Sequence, residues 1–408
     1  MVMLLACVSS PTLELADTGT PVGGVDTSVE QIVGTGEPED TGDPVETEFF
    51  DDTFLHQIDL TLSDESIAGI KADPYTFVDA AVTVDGAAFA HVGVRLRGKI
   101  GSFRRLNGKP KFKIDFNRYV QDQRLGDYET LALNNEVVDC SYLREPSGYM
   151  LFRQLGLPAP RTVFTAVTLN GEDYGLYVAV EFPDDTFLRM NYADGTGNLY
   201  DGKYVYGGGW NYTMVDFTAS QVDGFQLEEG TDVERADVRA ISDALEADTS
   251  FDERVGALVD TNEFHRHLVG EQWIGHLDGY ALNTNNYRVY FDPEDGRADL
   301  LVYDLDYAFL EASSWGMAWG RPLGVMASAC WKDEVCVAAH RQAVTDGLAI
   351  IDSDAILAAY DGWLALIGDA ADADPRRECG TNSVYSEQAA VRAWIEGGSA
   401  KLEAFWAE

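Results

Sequence analysis

Glu271-Gln-Trp-Ile-Gly-His276-Leu-Asp278-Gly-Tyr-Ala-Leu-Asn283-Thr-Asn285-Asn286-Tyr-Arg-Val-Tyr290 is the stretch that decides how this chain is read, together with Leu300-Leu-Val-Tyr-Asp304-Leu-Asp306-Tyr307 just beyond it. An amphipathic helix runs into a polar loop, and the loop feeds a strand, a Pro/Gly turn and a second apolar strand that ends in acid. Between the two apolar segments, Asp278, Asn283, Asn285 and Asn286 supply four carboxylate or carboxamide side chains. Polar groups there are costly to desolvate unless they hold something, so the group reads as a metal or phosphate site. In a chain this acidic an Asp followed five positions later by an Asn says little alone. The order of helix, loop and two strands gives the spacing its weight.

The acidity is itself informative. Across 408 residues, 69 acidic side chains face 29 basic ones, for a net charge of -40. Such a field repels nucleic acid and anionic membranes; it favours cationic partners or life outside a cell. The length exceeds the ~100–200 residues of one ordinary domain, so one large or two smaller lobes are expected.

At the start, Leu4-Leu-Ala-Cys7 resembles a bacterial lipobox, and residues 1–7 read as a truncated lipoprotein-like signal with Cys7 as its lipid anchor. Residues 8–48 are almost wholly Ser, Thr, Pro, Gly, Asp, Glu and Val without periodicity, which reads as a disordered tether. Four further cysteines, Cys140, Cys330, Cys336 and Cys379, admit three disulfide pairings, of which Cys330 with Cys336 is the most local. Free buried thiols stay open as the alternative. A zinc site is disfavoured because the spacings are irregular and no histidine lies at the usual offsets.

Folded sequence is expected from Phe49. Residues 56–62 alternate as a strand, and Ser63 caps a short helix through Lys71. Phe77 to Val84, Asp85-Gly86 and Phe89 to Arg97 read as a hairpin. Its end, Arg95-Leu-Arg97-Gly98-Lys99-Ile-Gly101, suits an anion-binding loop, because glycine lets backbone N–H groups approach phosphate. On the next strand Lys111, Lys113 and Asp115 share one face. Residues 141–155 read as a helix from which Glu145 or Arg144 faces the lysine strand, and a second hairpin runs from Val163 to Glu181. Residues 184–238 read as a loop-rich insertion. Asp260 caps the helix leading to His276, and helices are expected from Val335 to about Leu366 and from Ser386 to Trp406. No stretch reaches the ~18 apolar residues of a membrane span.

Taken in order, Arg95-Leu-Arg-Gly98, Lys111-Phe-Lys-Ile-Asp-Phe116, Leu155-Gly-Leu-Pro-Ala-Pro-Arg161, Asn170-Gly-Glu-Asp-Tyr-Gly-Leu-Tyr177, Asn198-Leu-Tyr200, Leu277-Asp-Gly279 with Asn285-Asn286, and Tyr303-Asp-Leu-Asp306 resemble the CotH-type (spore coat protein H) atypical protein kinases over roughly residues 55–310. The resemblance implies an α+β, two-lobed kinase-like fold, with a β-rich N-lobe over 49–181 and a mainly helical C-lobe over 182–408. It implies ATP, Mg2+ or Mn2+, and phosphoryl transfer to Ser or Thr of extracytoplasmic proteins by a monomer that is lipid-anchored or secreted. Asp278 would be the catalytic-loop acid and Asp304 the metal-binding acid followed by Asp306. Asn283 or Asn286 would be the second metal ligand. Lys113 would contact phosphate, beside Arg97, Gly98, Lys111 and Glu145, and Glu181 would be the hinge residue beside the adenine. The departures are the missing G-x-G-x-x-G loop, Leu277 in place of an Arg before the catalytic Asp, and no Ala-Pro-Glu. They keep two alternatives in play: a weakly active nucleotide- and metal-binding pseudokinase serving as a surface scaffold or adhesion module, and another transfer chemistry such as nucleotidyl transfer or glutamylation.

Overall fold

Strands dominate the first half of the described chain and helices the second, a mixed α+β fold. In this computed structural model, residues 48–202, 204–208 and 211–407 are described. The expected signal at 1–7, the Cys7 anchor and all of the expected tether except Glu48 therefore lie outside the described residues.

The first part runs β1 (His56–Leu62), α1 (Asp64–Ala72), β2 (Val78–Val84), β3 (Ala87–Arg97), β4 (Lys111–Asp115), β5 (Thr130–Asn134), α2 (Arg144–Gln154), β6 (Thr162–Leu169) and β7 (Glu172–Glu181). Local signals set these bounds. Ser63 Oγ accepts from Ser66 N to cap α1, as expected, and the two hairpins turn at Asp85-Gly86 and Asn170-Gly171, all four in left-handed conformations that these residue types tolerate. The strands close into a barrel in the order β1-β2-β3-β4-β5-β7-β6. Closure comes from a parallel pairing of β1 with β6, His56 opposite Thr165. Period-2 alternation sends Ile58, Leu60, Val82, Val94, Phe112, Ile114, Leu131 and Leu133 into one shared core.

The second part contains α3 (Asp185–Asn191), β8 (Asn198–Asp201), β9 (Val205–Gly208), β10 (Asn211–Thr213), β11 (Gln226–Glu229), α4 (Ala236–Leu245), α5 (Phe251–Val255), α6 (Thr261–Ile274), α7 (Tyr280–Asn283), β12 (Tyr287–Asp292), β13 (Arg297–Val302), α8 (Val325–Cys330), α9 (Glu334–Ile350), α10 (Ser353–Ala373) and α11 (Thr381–Ala407). Two expectations need correcting here. Residues 184–238 are more than a loop-rich insertion, since β8 and β11 join the β12–β13 hairpin in a four-stranded sheet ordered β11-β8-β12-β13. The stretch expected to be helical from Val335 to about Leu366 divides into two helices and runs on to Ala373: the extended backbone of Ile351 ends α9, and the Asp352 carboxylate accepts from Ala355 N to start α10.

The two parts share one core. Ala132, Val178 and Val180 of the barrel pack with Tyr149 and Phe152 of α2, Trp273 of α6, Tyr360 of α10 and Ile395 of α11. Two disulfides, Cys140–Cys379 and Cys330–Cys336, settle the pairing that the sequence left open. Among the described residues, no helix is long and apolar enough to cross a membrane.

Candidate active site

A cleft of about 360 Å3 opens where the end of β3, the α7 loop and the end of β13 meet. Arg97, Gly98, Asp278, Asn283, Asn286, Asp304 and Asp306 all line it.

The Asp278 loop is built from below. α6 ends at Gly275, whose left-handed backbone closes the helix in the way glycine commonly does, and buried Glu271 then turns back under the loop. Its carboxylate accepts from Tyr280 N at 2.6 Å and Ala281 N at 2.9 Å, satisfying the first N–H groups of α7. A side chain at Gly279 would put its Cβ 2.3 Å from Glu271 Oε1, so only glycine lets the two approach. This brace was missed in the sequence, where Glu271 looks like one more acid on a helix.

Asp278 itself is gripped by amides. Asn283 Nδ2 donates to its Oδ1 at 2.5 Å, and Asn285 and Asn286 Nδ2 donate to its Oδ2 at 3.0 and 3.1 Å. Asn286 Nδ2 also donates to the Asp304 carbonyl at 3.1 Å, so one amide ties the loop to the end of β13. Asn286 and Asp304 both hold positive φ, +49° each, a conformation found at sites that the surrounding structure holds in place. Burial pushes the Asp278 carboxyl up to about 6, against the lowering pull of the amides.

Lys111 is the cation at the acids. Its Nζ lies 3.4 Å from Asp304 Oδ1 and 3.2 Å from Asp306 Oδ2. Burial opposes its charge, but Asp304 and Asp306 outweigh burial and raise its pKa. Burial likewise opposes ionisation of Asp304, and Lys111 and Arg97 outweigh it and hold that carboxyl below the usual range. Asp306 goes the other way, raised by burial and by Asp304. Glu145, on α2 as expected, accepts from Asn134 Nδ2 at 2.6 Å, and burial and Asp304 raise it to about 7. Arg97 Nη1 donates to Asn134 Oδ1 at 2.8 Å, and its other arm binds the Tyr303 hydroxyl. Arg144, the other side chain expected to face this way, donates from Nη1 to the Asp306 carbonyl at 2.7 Å.

Two expected residues stand apart. The structure does not bring Lys113 to Asp304 or Asp306; its Nζ lies 3.6 Å over the Phe182 ring. Burial, then Arg95 and Arg288, lower it to about 8. Lys111 and Lys113 share a strand face, so spacing alone could not choose between them. Glu181 turns its carboxylate to Arg161, 2.7 Å from Nη2, and does not line the cleft. The cation missed in the sequence is Arg288, buried on β12 with its guanidinium 4.6 Å from the Tyr303 ring centre. The usable signal was an arginine between apolar neighbours on a strand of a chain poor in basic residues.

The cleft offers carboxylate, amide and hydroxyl oxygens around Asp304 and, among the described lining residues, no thiolate, a set that suits a hard divalent cation. With Arg95, Arg97 and Gly98 on the facing wall, the cleft sets cationic side chains opposite an edge of carboxylates and amides, an arrangement suited to a polyanion.

The sequence profile of the CotH kinase protein family matches residues 94–390. The inner spore coat protein H of Bacillus subtilis (strain 168) is 25% identical over 225 residues, covering 53% of this chain and 57% of that protein. An inner spore coat protein H-like protein of the same organism is 32% identical over 73 residues, 18% of this chain and 22% of its own length. The chain thus spans less than two thirds of either relative. Among solved structures, the Helicobacter pylori proinflammatory kinase CtkA aligns with a TM-score of 0.34 at 11% identity, covering 71% of this chain and 90% of that one. The Shewanella oneidensis MR-1 HipA, HipB and operator DNA complex aligns with a TM-score of 0.36 at 14% identity, covering 90% and 76%. Since the profile spans well over half of the chain, the protein belongs to the CotH kinase protein family.

Proposed function

We propose that the chain is an atypical, two-lobed kinase that transfers the γ-phosphoryl group of ATP to Ser or Thr hydroxyls of cationic extracytoplasmic proteins. The observation that carries this reading is Asn286 Nδ2, which donates both to the Asp278 carboxylate and to the Asp304 backbone and so joins the two acids at one edge of the cleft.

Phosphoryl transfer asks for positioning and charge neutralisation more than for covalent chemistry by the protein. Asp278 orients the attacking hydroxyl and takes its proton as the oxygen bonds to the γ-phosphorus and the bond to the β,γ-bridging oxygen breaks. Three amides fix the direction of that carboxylate. Arg97 and the N–H groups near Gly98 hold phosphate oxygens, while Lys111 keeps Asp304 ionised. A divalent cation, Mg2+ or Mn2+, supplies neutralisation of phosphate charge when bound, with Asp304, Asp306 and the amide oxygen of Asn283 or Asn286 as the residues that would hold it. The placement in an oxidising compartment draws on the two disulfides, and the cationic substrate on the net charge of -40. One observation favours the second reading, a nucleotide-binding scaffold without turnover: Lys111 already pairs with both acids of the metal-binding edge.

Incubation with γ-labelled ATP and a basic Ser-rich protein tests the proposal. Label should move to the protein only with Mg2+ or Mn2+, and high salt should slow transfer to basic peptides more than to neutral ones. Transfer of AMP, or ATP binding without any transfer, would overturn it.

A further inference from the structure

Away from the cleft, three buried ligating side chains converge from three elements. Cys330 ends α8, Cys336 lies in the first turn of α9, and His265 comes from α6. One ligand atom from each lies within 4.8 Å of the others, and His265 Nε2 is 4.0 Å from Cys336 Sγ. A second histidine, His340, stands four residues after Cys336 and so on the same face of α9. Its Nδ1 lies 3.3 Å from His265 Nδ1.

A local disulfide between adjoining helices needs no histidine lining, and these rings are poorly served by their surroundings. The other nitrogen of His340 meets Gln272 Oε1 only at 3.5 Å, the outer edge of hydrogen bonding, although the ring is fully buried.

We infer that Cys330, Cys336 and His265 form a latent site for a thiophilic divalent cation of the zinc class, opened by reduction of the disulfide, with His340 bonded to the His265 nitrogen that does not face Cys336. Zinc binds sulfur at ~2.3 Å and imidazole nitrogen at ~2.0–2.1 Å, so its ligand atoms stand roughly 3.3–3.8 Å apart, within reach of the spacing here. In the disulfide each sulfur is bonded to the other and carries no charge. A dithiol reductant delivers two electrons and two protons, the S–S bond breaks to give two thiols, and the reductant leaves as its own disulfide. Binding of the cation then displaces the two thiol protons as both thiolates coordinate. Disulfide and metal are alternative ways of holding α8 to α9. The choice reaches the cleft, because Met326 N donates to the Tyr280 hydroxyl at 2.9 Å and Leu323 N to the Ala281 carbonyl at 2.8 Å, just after Asp278.

The test uses the full chain and Co2+ alone, without nucleotide, so its outcome is independent of the kinase reading. The protein is reduced with a phosphine, freed of reductant under anaerobic conditions and titrated. The reduced native chain should take up one Co2+ with a near-ultraviolet sulfur-to-metal absorption band that the oxidised chain lacks. Cys330→Ser with Cys336→Ser, which keeps every other cysteine, should abolish the band. His265→Ala should weaken binding by more than the about 10- to 100-fold that outer-shell changes cost. If the reduced native chain and the double-serine variant give the same spectrum, or if His265→Ala binds Co2+ as tightly as the native chain, the site does not exist. The near-isosteric serine pair keeps the test decisive should His265→Ala fail to fold.

Discussion

Two lysines one pleat apart on β4 sit in opposite fields. Lys111, cross-strand from Arg97, is flanked by Asp304 and Asp306, which raise its pKa. Lys113, cross-strand from Arg95, has no hydrogen bond or ion pair among the described residues and lies on Phe182 with Arg95 and Arg288 pressing against its charge. The strand offers both side chains to the same face, and what the other elements bring to each end decides their chemistry. Asp304 and Asp306 just beyond β13 and Glu145 on α2 make one end acidic; Arg95 on β3 and Arg288 on β12 make the other cationic.

Substitution at the two positions should break the comparison if it is wrong. Lys111→Met removes the ammonium between the buried Asp304 and Asp306 and leaves Arg97 as the cation still acting on Asp304 and Glu145. It should lower stability by about 3–5 kcal/mol, the cost of breaking a buried ion pair from one side, and reduce transfer by ~100-fold or more. Denaturant midpoints and single-turnover rates measure both. Lys113→Met removes an unpaired, largely desolvated charge. Stability should hold or rise by about 1 kcal/mol, and the loss should fall on the KM for ATP by less than ~10-fold, with kcat nearly kept. Equal damage at both positions would erase the distinction.

The pH dependence of stability sharpens the same contrast. Burial and the neighbouring arginines depress Lys113 from an ordinary 10.5 to about 8. Between those values the unfolded chain binds the proton that the folded chain lacks, so this contribution to stability rises with pH from about 8 to 10.5, and Lys113→Met should remove the rise. Asp299 has the opposite sign. Burial, then Glu263 beside it, lift its carboxyl from 3.8 to about 8. The folded chain holds that proton where the unfolded chain has released it, so stability falls as pH climbs from about 4 to 8, and Asp299→Asn should flatten the fall. Chemical denaturation at a series of pH values reads both.

Where the sequence was legible, the signals were local. The Asp85-Gly86 and Asn170-Gly171 turns, the Ser63 and Asp260 caps and the two strands β12 and β13 around their Pro/Gly turn each rest on signals within a few residues, and those elements stand where they were expected. The parallel pairing of β1 with β6 joins residues more than a hundred positions apart and carries no local mark, so barrel closure was invisible. Short strands in a Gly- and Tyr-rich run hid β8 and β11. At the site, the loop around Asp278 and the acid pair after β13 could be found from residue order. The choice of Lys111 over Lys113, the Glu271 brace and buried Arg288 could not, because each depends on what a distant element places beside it. His265 near Cys330 and Cys336 escaped for the same reason, lying outside every spacing pattern for a metal site.

If Asp278 serves as the base and Asp304 as the metal ligand, as proposed, substitution of each separates binding from turnover. Thermal stabilisation by ATP with Mg2+ and single-turnover phosphate transfer would be read for Asp304→Ala and Asp278→Asn. Asp304→Ala should lose the metal-dependent stabilisation, whereas Asp278→Asn should keep it and lose about 10²- to 10⁴-fold in transfer, the usual contribution of a general base. Native transfer rates in both variants would contradict that assignment.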